Sequence, residues 1–213
     1  MPLTIVWDWN GTLLADTDTA VGALNRLLSS RGVPVVDRSR YRDRFGFPVR
    51  PFYAELGIDL EREDWDLICS DFHRFISMEP KPALRPDATA ALETARAAGA
   101  DQTIVSALRQ DFLLRDTAEA GISVYFSRIY GVDNLDGASK LDRAKDLARD
   151  VGPGRRIVFI GDTLHDAEVA SALGAECILV DGGHQTRERL LAAGVPVADS
   201  LVQAVQLACA DGG

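Results

Sequence analysis

The chain has 213 residues, 46% of them hydrophobic and 26% charged, enough to bury a full core and too apolar for a disordered segment. Its net charge of −9 repels nucleic acid and anionic membranes, and repels a phosphorylated metabolite too unless a cation or a local basic group compensates. No stretch approaches the ~18 apolar residues of a membrane span, and no basic leader precedes the first apolar run. Three scattered cysteines, Cys69, Cys177 and Cys209, have no CxxC spacing and read as buried free thiols of a reducing, cytoplasmic setting.

Leu3-Thr4-Ile5-Val6-Trp7 is an apolar run that ends at Asp8-Trp9-Asn10-Gly11-Thr12-Leu13. The pattern fits a buried strand that carries a carboxylate at its C-terminal tip, the edge where open parallel sheets bind ligands. A hairpin is the competing reading, because Asn-Gly between apolar stretches is also a hairpin signal. Past Leu14 the periodicity turns helical. Asp18 or Thr19 is placed to cap a helix with Val21, Leu24, Leu27 and Leu28 on one face, ending near Gly32. Helical character continues to about Met78, interrupted at Phe45-Gly46-Phe47-Pro48 and at Gly57. Trp65, Ile68, Phe72 and Phe75 have the spacing of helix-packing residues. Pro80, Pro82 and Pro86 then mark a stiff connector.

From Asp87 onward strand and helix alternate. An alanine-rich helix ends at Gly99 and leads to a strand at Thr103-Ile104-Val105-Ser106. A helix from about Asp111 to Ala120 precedes a strand around Val124-Tyr125-Phe126. A helix over Leu141–Leu147, a strand at Ile157-Val158-Phe159-Ile160 and a helix through Val169–Leu173 follow. Cys177-Ile178-Leu179-Val180 and two last helical stretches close the chain. Such alternation implies an α/β fold with a parallel sheet covered on both faces. The expected organisation is a Rossmann-like core from residues 1–14 and 81–213, with a helical domain of residues 15–80 inserted after the first strand.

Four groups fall at strand tips on one edge of that sheet. They are Asp8 with Asn10 and Thr12; Ser106; Lys140, in Gly137-Ala138-Ser139-Lys140; and Gly161-Asp162-Thr163-Leu164-His165-Asp166. Each has an ordinary explanation alone: a strand end, a solvated helix start, or helix N-terminal acids complementing the dipole. None of these explains the joint placement. Phosphoryl transfer does. A carboxylate attacking a phosphoryl group meets repulsion between anions, and a divalent cation bridging Asp8, Asp162 and the phosphate removes it. Hard oxygen donors without a His or Cys cluster point to Mg²⁺. Ser106 and Lys140 supply a hydroxyl and a cation to the remaining phosphoryl oxygens. Attack by Asp8 gives an aspartyl-phosphate that water hydrolyses.

On these motifs the chain resembles the haloacid dehalogenase-like hydrolases, on a phosphoglycolate-phosphatase-like branch with a helical cap. The family's Asp-x-Asp-Gly-Thr corresponds to Asp8-Trp9-Asn10-Gly11-Thr12, and its strand ending in Ser or Thr to Ile104-Val105-Ser106. Its lysine corresponds to Lys140 and its Gly-Asp-x-x-x-Asp to Gly161 through Asp166. The similarity runs in order from about residue 3 to residue 182. It implies a small phosphorylated substrate held by Gly11, Thr12, Ser106 and Lys140. It also implies Mg²⁺ held by Asp8, Asp162 and the backbone carbonyl of Asn10, with Asp166 orienting a metal-bound water or the loop. A cap loop would select the substrate, which nominates Arg44, Phe47, Pro48 and Arg50 around Gly46. A monomer or a homodimer fits equally.

Asn10 departs from the family pattern. An aspartate is expected there, as acid for the leaving group and then base for water. Asparagine keeps the carbonyl but loses the proton shuttle, a contribution of ~10²–10⁴ in rate. Three consequences stay open: a phosphatase suited to good leaving groups such as acyl or aryl phosphates, one in which His165 supplies the proton, or a phosphate-ester binding protein without turnover. Dehalogenation needs no acid here, but the Asp162 motif implies a metal that dehalogenases do not require.

Overall fold

The computed structural model describes residues 1–136 and 139–210; the Gly137-Ala138 pair and the tail 211–213 lie outside the described residues. Among those described, six strands form one parallel sheet in the order β3-β2-β1-β4-β5-β6. Strand β1 (Leu3–Trp7) is flanked by β2 (Asp101–Arg109) and β4 (Arg156–Gly161). Parallel neighbours on both sides rule out the hairpin reading of Asn10-Gly11. Strand β3 (Arg128–Val132) lies outside β2, while β5 (Glu176–Val180) and β6 (Val197–Ala198) extend the other side. The chain therefore reverses its direction of travel across the sheet between β1 and β4, the topological switch point at which such sheets bind ligands.

Period-two alternation sorts the strand residues between two cores. Ile5, Trp7, Ile104, Val158, Ile160, Ile178 and Val180 face one core, with α5 (Ala88–Ala97) and α10 (Leu201–Ala210) packed over them. Val6, Val105, Phe159, Cys177 and Leu179 face the other, under α7 (Leu141–Val151), α8 (Leu164–Ala172) and α9 (Arg187–Leu191). Between β1 and α5 come four helices with a third core of their own: α1 (Thr17–Ser30), α2 (Arg38–Arg44), α3 (Val49–Leu56) and α4 (Trp65–Ile76). Leu24, Leu27, Leu28, Phe52, Ile68 and Phe75 are buried in it. Gly57 ends α3 in a left-handed conformation, φ 104°, as a C-terminal glycine commonly does. No helix among the described residues is long and apolar enough to cross a membrane.

Three expectations need correction. Val124-Tyr125-Phe126 is not a strand: Ser123–Tyr125 is a 3₁₀ turn, Val124 is 81% exposed, and the strand is Arg128–Val132. Tyr125 and Phe126 are apolar because they pack against the first core from the turn, whereas edge strand β3 has a weak apolar signature. Strand β6, only two residues long, carries too little periodicity to be read from sequence. Neither Asp18 nor Thr19 caps α1. Asp16 occupies the N-cap position, and its side chain makes no cap hydrogen bond because it is engaged elsewhere. Of the cysteines, Cys69 and Cys177 are buried, but Cys209 is only half-buried; all three are free.

Candidate active site

Strand register brings the motifs together. Trp7 pairs with Ile104 on one side and Ile160 on the other, and the Asp8 N–H donates to the Ile160 carbonyl at 2.9 Å. Asp8 and Asp162 therefore leave adjacent strand tips side by side. Gly11, in the turn that follows Asp8, has φ 74°. A Cβ there would collide with the Asp162 carboxylate and come within 2.5 Å of the His184 ring, so only glycine permits this approach. Gly161 is under a similar constraint from Asp166.

Carboxylate oxygens of Asp8, Asp162 and Asp166 all lie within 4.8 Å of one another. Thr12 Oγ1 donates to Asp162 Oδ1 at 2.9 Å and lies 3.3 Å from Asp8 Oδ2. Lys140, at the N-cap of α7, sets its ammonium 2.5 Å from both Asp8 Oδ1 and Asp166 Oδ1. Asp166 also caps α8, accepting from the Thr163 N–H at 3.0 Å and its hydroxyl at 2.8 Å. Ser106 is 1% exposed and lines the same cavity; its Oγ accepts from the Leu108 N–H at 3.1 Å. The β2–β3 ladder shifts register after Val105, so Ser106 marks a break within a strand that runs on to Arg109, not its tip.

The buried Asp162 and Asp166 and the part-buried Asp8 thus face one ammonium. Burial pushes the Asp8 carboxyl up to about 7; Lys140 opposes this, while Asp166 and Asp162 add to it. Asp162 is also raised by burial, against the pull of His184 and with Asp166 adding to the rise. Asp166 falls below the usual range, because Lys140 outweighs its burial. Burial disfavours the Lys140 cation too, yet Asp166 and Asp8 overcompensate and raise it. Oxygen donors in this number, with excess negative charge at the switch point, suit a hard divalent cation.

The sequence reading missed a second cluster. Asn10 Nδ2 donates to Asp16 Oδ2 at 2.6 Å, and the Gly11 N–H donates to Asp16 Oδ1 at 2.7 Å. His184 Nε2 lies 3.2 Å from Asp16 Oδ1, and its Nδ1 lies 2.9 Å from the Tyr41 hydroxyl. The His184 N–H donates to Asp162 Oδ2 at 2.6 Å. Burial disfavours the imidazolium, but the Asp16 carboxylate more than compensates and His184 is raised to about 9. Asp16 is buried and still held below the usual range, chiefly by His184. An acid three residues past Leu13 is the one available sequence signal for Asp16; Asp181-Gly182-Gly183-His184 after β5 is a glycine turn at a further strand tip.

The nominated loop residues divide. Phe47 lines the cavity and stacks on the His165 ring at 5.1 Å. Arg44 is exposed and paired with Asp43 and Glu55, while Arg50 is exposed and lies 5.5 Å from the Trp65 ring centroid. Neither arginine lines the cavity, and Pro48 is exposed outside it. The cations that secure this loop are others. Arg189 donates to the Phe45 carbonyl at 2.6 Å, and Arg42 donates to the Gly183 and Gln185 carbonyls at 2.8 and 2.7 Å. His165 lines the cavity, and burial together with Lys140 lowers it below its ordinary value, so at neutral pH it is an uncharged ring.

Residues 5–180 match the haloacid dehalogenase-like hydrolase family. A phosphoglycolate phosphatase of Caulobacter vibrioides is 26% identical over 85% of this chain and 80% of its own length. One from Rhodobacter capsulatus is 24% identical over 87% of each. Among solved structures, a haloacid dehalogenase-like family hydrolase from Streptococcus pneumoniae superposes with a TM-score of 0.82 at 18% identity. It covers 97% of this chain and 98% of its own.

Proposed function

The chain belongs to the haloacid dehalogenase-like hydrolases, and from that premise we propose that it is a Mg²⁺-dependent phosphatase acting through an aspartyl-phosphate on Asp8. The observation that carries this reading is the cluster of Asp8, Asp162 and Asp166 with Lys140 between two of them. Its excess of negative charge matches a site that takes a cation and a phosphoryl group together. The two phosphoglycolate phosphatases similar to this chain support the same class of reaction.

Asp8, Asp162 and the Asn10 backbone carbonyl would hold Mg²⁺, with Asp166 keeping Lys140 and the Thr163 turn in place. When bound, the ion neutralises the phosphoryl oxygens and the nucleophile's surroundings, which permits one anion to approach another. Lys140 and Ser106 hold the remaining phosphoryl oxygens, and Asp8 attacks phosphorus as the ester oxygen departs. A neutral His165 cannot give that oxygen a proton, so the role assigned to it is to take one from the water that hydrolyses the aspartyl-phosphate. The helices of residues 15–80 act as the cap, with Phe47 as the loop residue facing the substrate. The three free thiols support a reducing compartment.

Binding of a phosphate ester without turnover is the second reading, and Asn10 is the observation that favours it. Purified protein is expected to hydrolyse p-nitrophenyl phosphate with Mg²⁺ and to stop in EDTA. Ester binding without hydrolysis would establish the second reading instead.

A further inference from the structure

Beyond Asp8 and Lys140 the cavity, about 350 Å³ in volume, runs out between α4 and α6 (Gln110–Glu119). Its walls there are mostly apolar. Phe72 and Ile76 of α4 stand opposite Leu108 and Phe112, with Phe47 and Val49 alongside. Ring centroids of Phe72 and His73 lie 5.8 Å apart and those of His73 and Phe112 5.9 Å apart, an aromatic edge that crosses from α4 to α6. The stacked Phe47 and His165 rings continue aromatic lining to the phosphate end.

Charge on these walls is already matched. Arg109 makes two bonds to Asp111, at 2.6 and 2.8 Å, and lies 4.1 Å from the Phe112 ring centroid. Arg115 pairs with Asp116 at 2.9 Å and lies 5.0 Å from the same ring. Lys140 is held between Asp8 and Asp166, and His184 beside Asp16. His165 Nδ1 lies 3.4 Å from the Glu168 carboxylate, and burial keeps His73 below its ordinary value. Among the described residues lining the cavity, every cation thus carries a carboxylate partner. The carboxylate of an anionic alkyl phosphate would have to share a cation with one of these partners or lie unpaired against Phe72, Ile76 and Leu108, where losing its hydration is costly. An aromatic ring has no such cost and gains edge and face contacts.

Asn10 supports the same choice independently. Without a carboxyl group there, the ester oxygen must leave as an anion, and an aryloxide leaves more readily than an alkoxide.

We infer that the cavity selects phosphate monoesters of aromatic hydroxyl compounds, with the ring held among Phe47, Phe72 and Phe112, over phosphoglycolate and other anionic alkyl phosphates. This rests on the phosphatase reading for the chemistry, but the ring pocket is a claim about binding and is testable without turnover. With Mg²⁺ present, calorimetry on the intact protein compares benzylphosphonate with 3-phosphonopropionate, non-hydrolysable counterparts of an aryl phosphate and of phosphoglycolate. Benzylphosphonate is expected to bind at least ~10-fold more tightly. Phe112→Ala and the milder Phe112→Leu should weaken it several-fold and leave 3-phosphonopropionate within about twofold. Equal or tighter binding of 3-phosphonopropionate, equal losses for both probes, or no benzylphosphonate binding at millimolar concentration would overturn the inference. Tight benzylphosphonate binding without hydrolysis of phenyl phosphate would support the ring pocket while removing the phosphatase reading.

Discussion

Asn10 and Asp16 are joined by a 2.6 Å hydrogen bond in which the Asn10 amide donates to the Asp16 carboxylate. Asp16 is held ionised by His184 and can only accept, so the Asn10 NH₂ is fixed toward it. An aspartate at position 10 would set a second carboxyl group against Asp16, and their mutual repulsion favours a proton held on the pair. The pair would then retain one proton beside the leaving-group site.

Asn10→Asp is therefore expected to raise kcat on alkyl phosphates by about tenfold or more, within the range of a restored general acid. p-Nitrophenyl phosphate, whose leaving group needs no proton, should change far less. Steady-state rates on both substrates check this. Unchanged alkyl-phosphate turnover would show that the missing acid does not limit the enzyme.

The His184–Asp16 pair predicts a stability change with pH. His184 is raised from an ordinary 6.5 to about 9, so its contribution is fully present below pH 6.5 and is lost as pH rises through about 9. The size is on the order of 3 kcal/mol. Urea unfolding at pH 6.5, 8 and 10 should show His184→Gln destabilised at the lowest pH, with the gap to wild type closing by the highest. A gap independent of pH would mean that His184 acts by packing alone.

How much of this was legible in the sequence follows from how each residue announces itself. Asp8 and Asp162 follow apolar runs, and strand periodicity sends both to one sheet edge; Lys140 opens a helix, and Ser106 sits at a register break inside β2 rather than at its tip. Asp16 and His184 are separated by 168 positions and share no pattern; only the Gly11 turn and the loop after β5 bring them together. Arg44 and Arg50 are nominated by their place around the Gly46 loop, and position in a loop does not reveal which side chains face the cavity. Tyr41 on α2 and Phe47 in the loop line the cavity, and both arginines are exposed.

His165 gives a third prediction. Its ring is uncharged at neutral pH and lines the cavity beside Phe47, which suits acceptance of a proton from water. His165→Ala should lower steady-state turnover of p-nitrophenyl phosphate by roughly tenfold to a hundredfold. The initial burst of p-nitrophenol should survive, because formation of the aspartyl-phosphate does not use this group. Wild-type activity should also fall as pH drops through the lowered His165 value, and the variant should lose that limb. Loss of the burst together with the steady rate would place His165 in the first step.

Divalent cation binding should release protons. Burial and the neighbouring Asp166 and Asp162 carboxylates push Asp8 up to about 7 despite Lys140, so near pH 6.5 much of the cation-free protein carries a proton on that group. A cation favours the ionised form, and binding must expel the proton. Mg²⁺ affinity is thus expected to rise with pH through about 7 and to level off above it. Calorimetric titration at pH 6.5 in two buffers of different ionisation enthalpy measures the protons released directly. Asp8→Asn removes the group raised to about 7 and should both weaken binding and reduce the proton release, leaving the share due to Asp162. Asp162→Asn should weaken binding while Asp8 still titrates. Mg²⁺ affinity that is flat from pH 6 to 8, with no buffer dependence of the heat, would show that Asp8 is already ionised before the cation arrives.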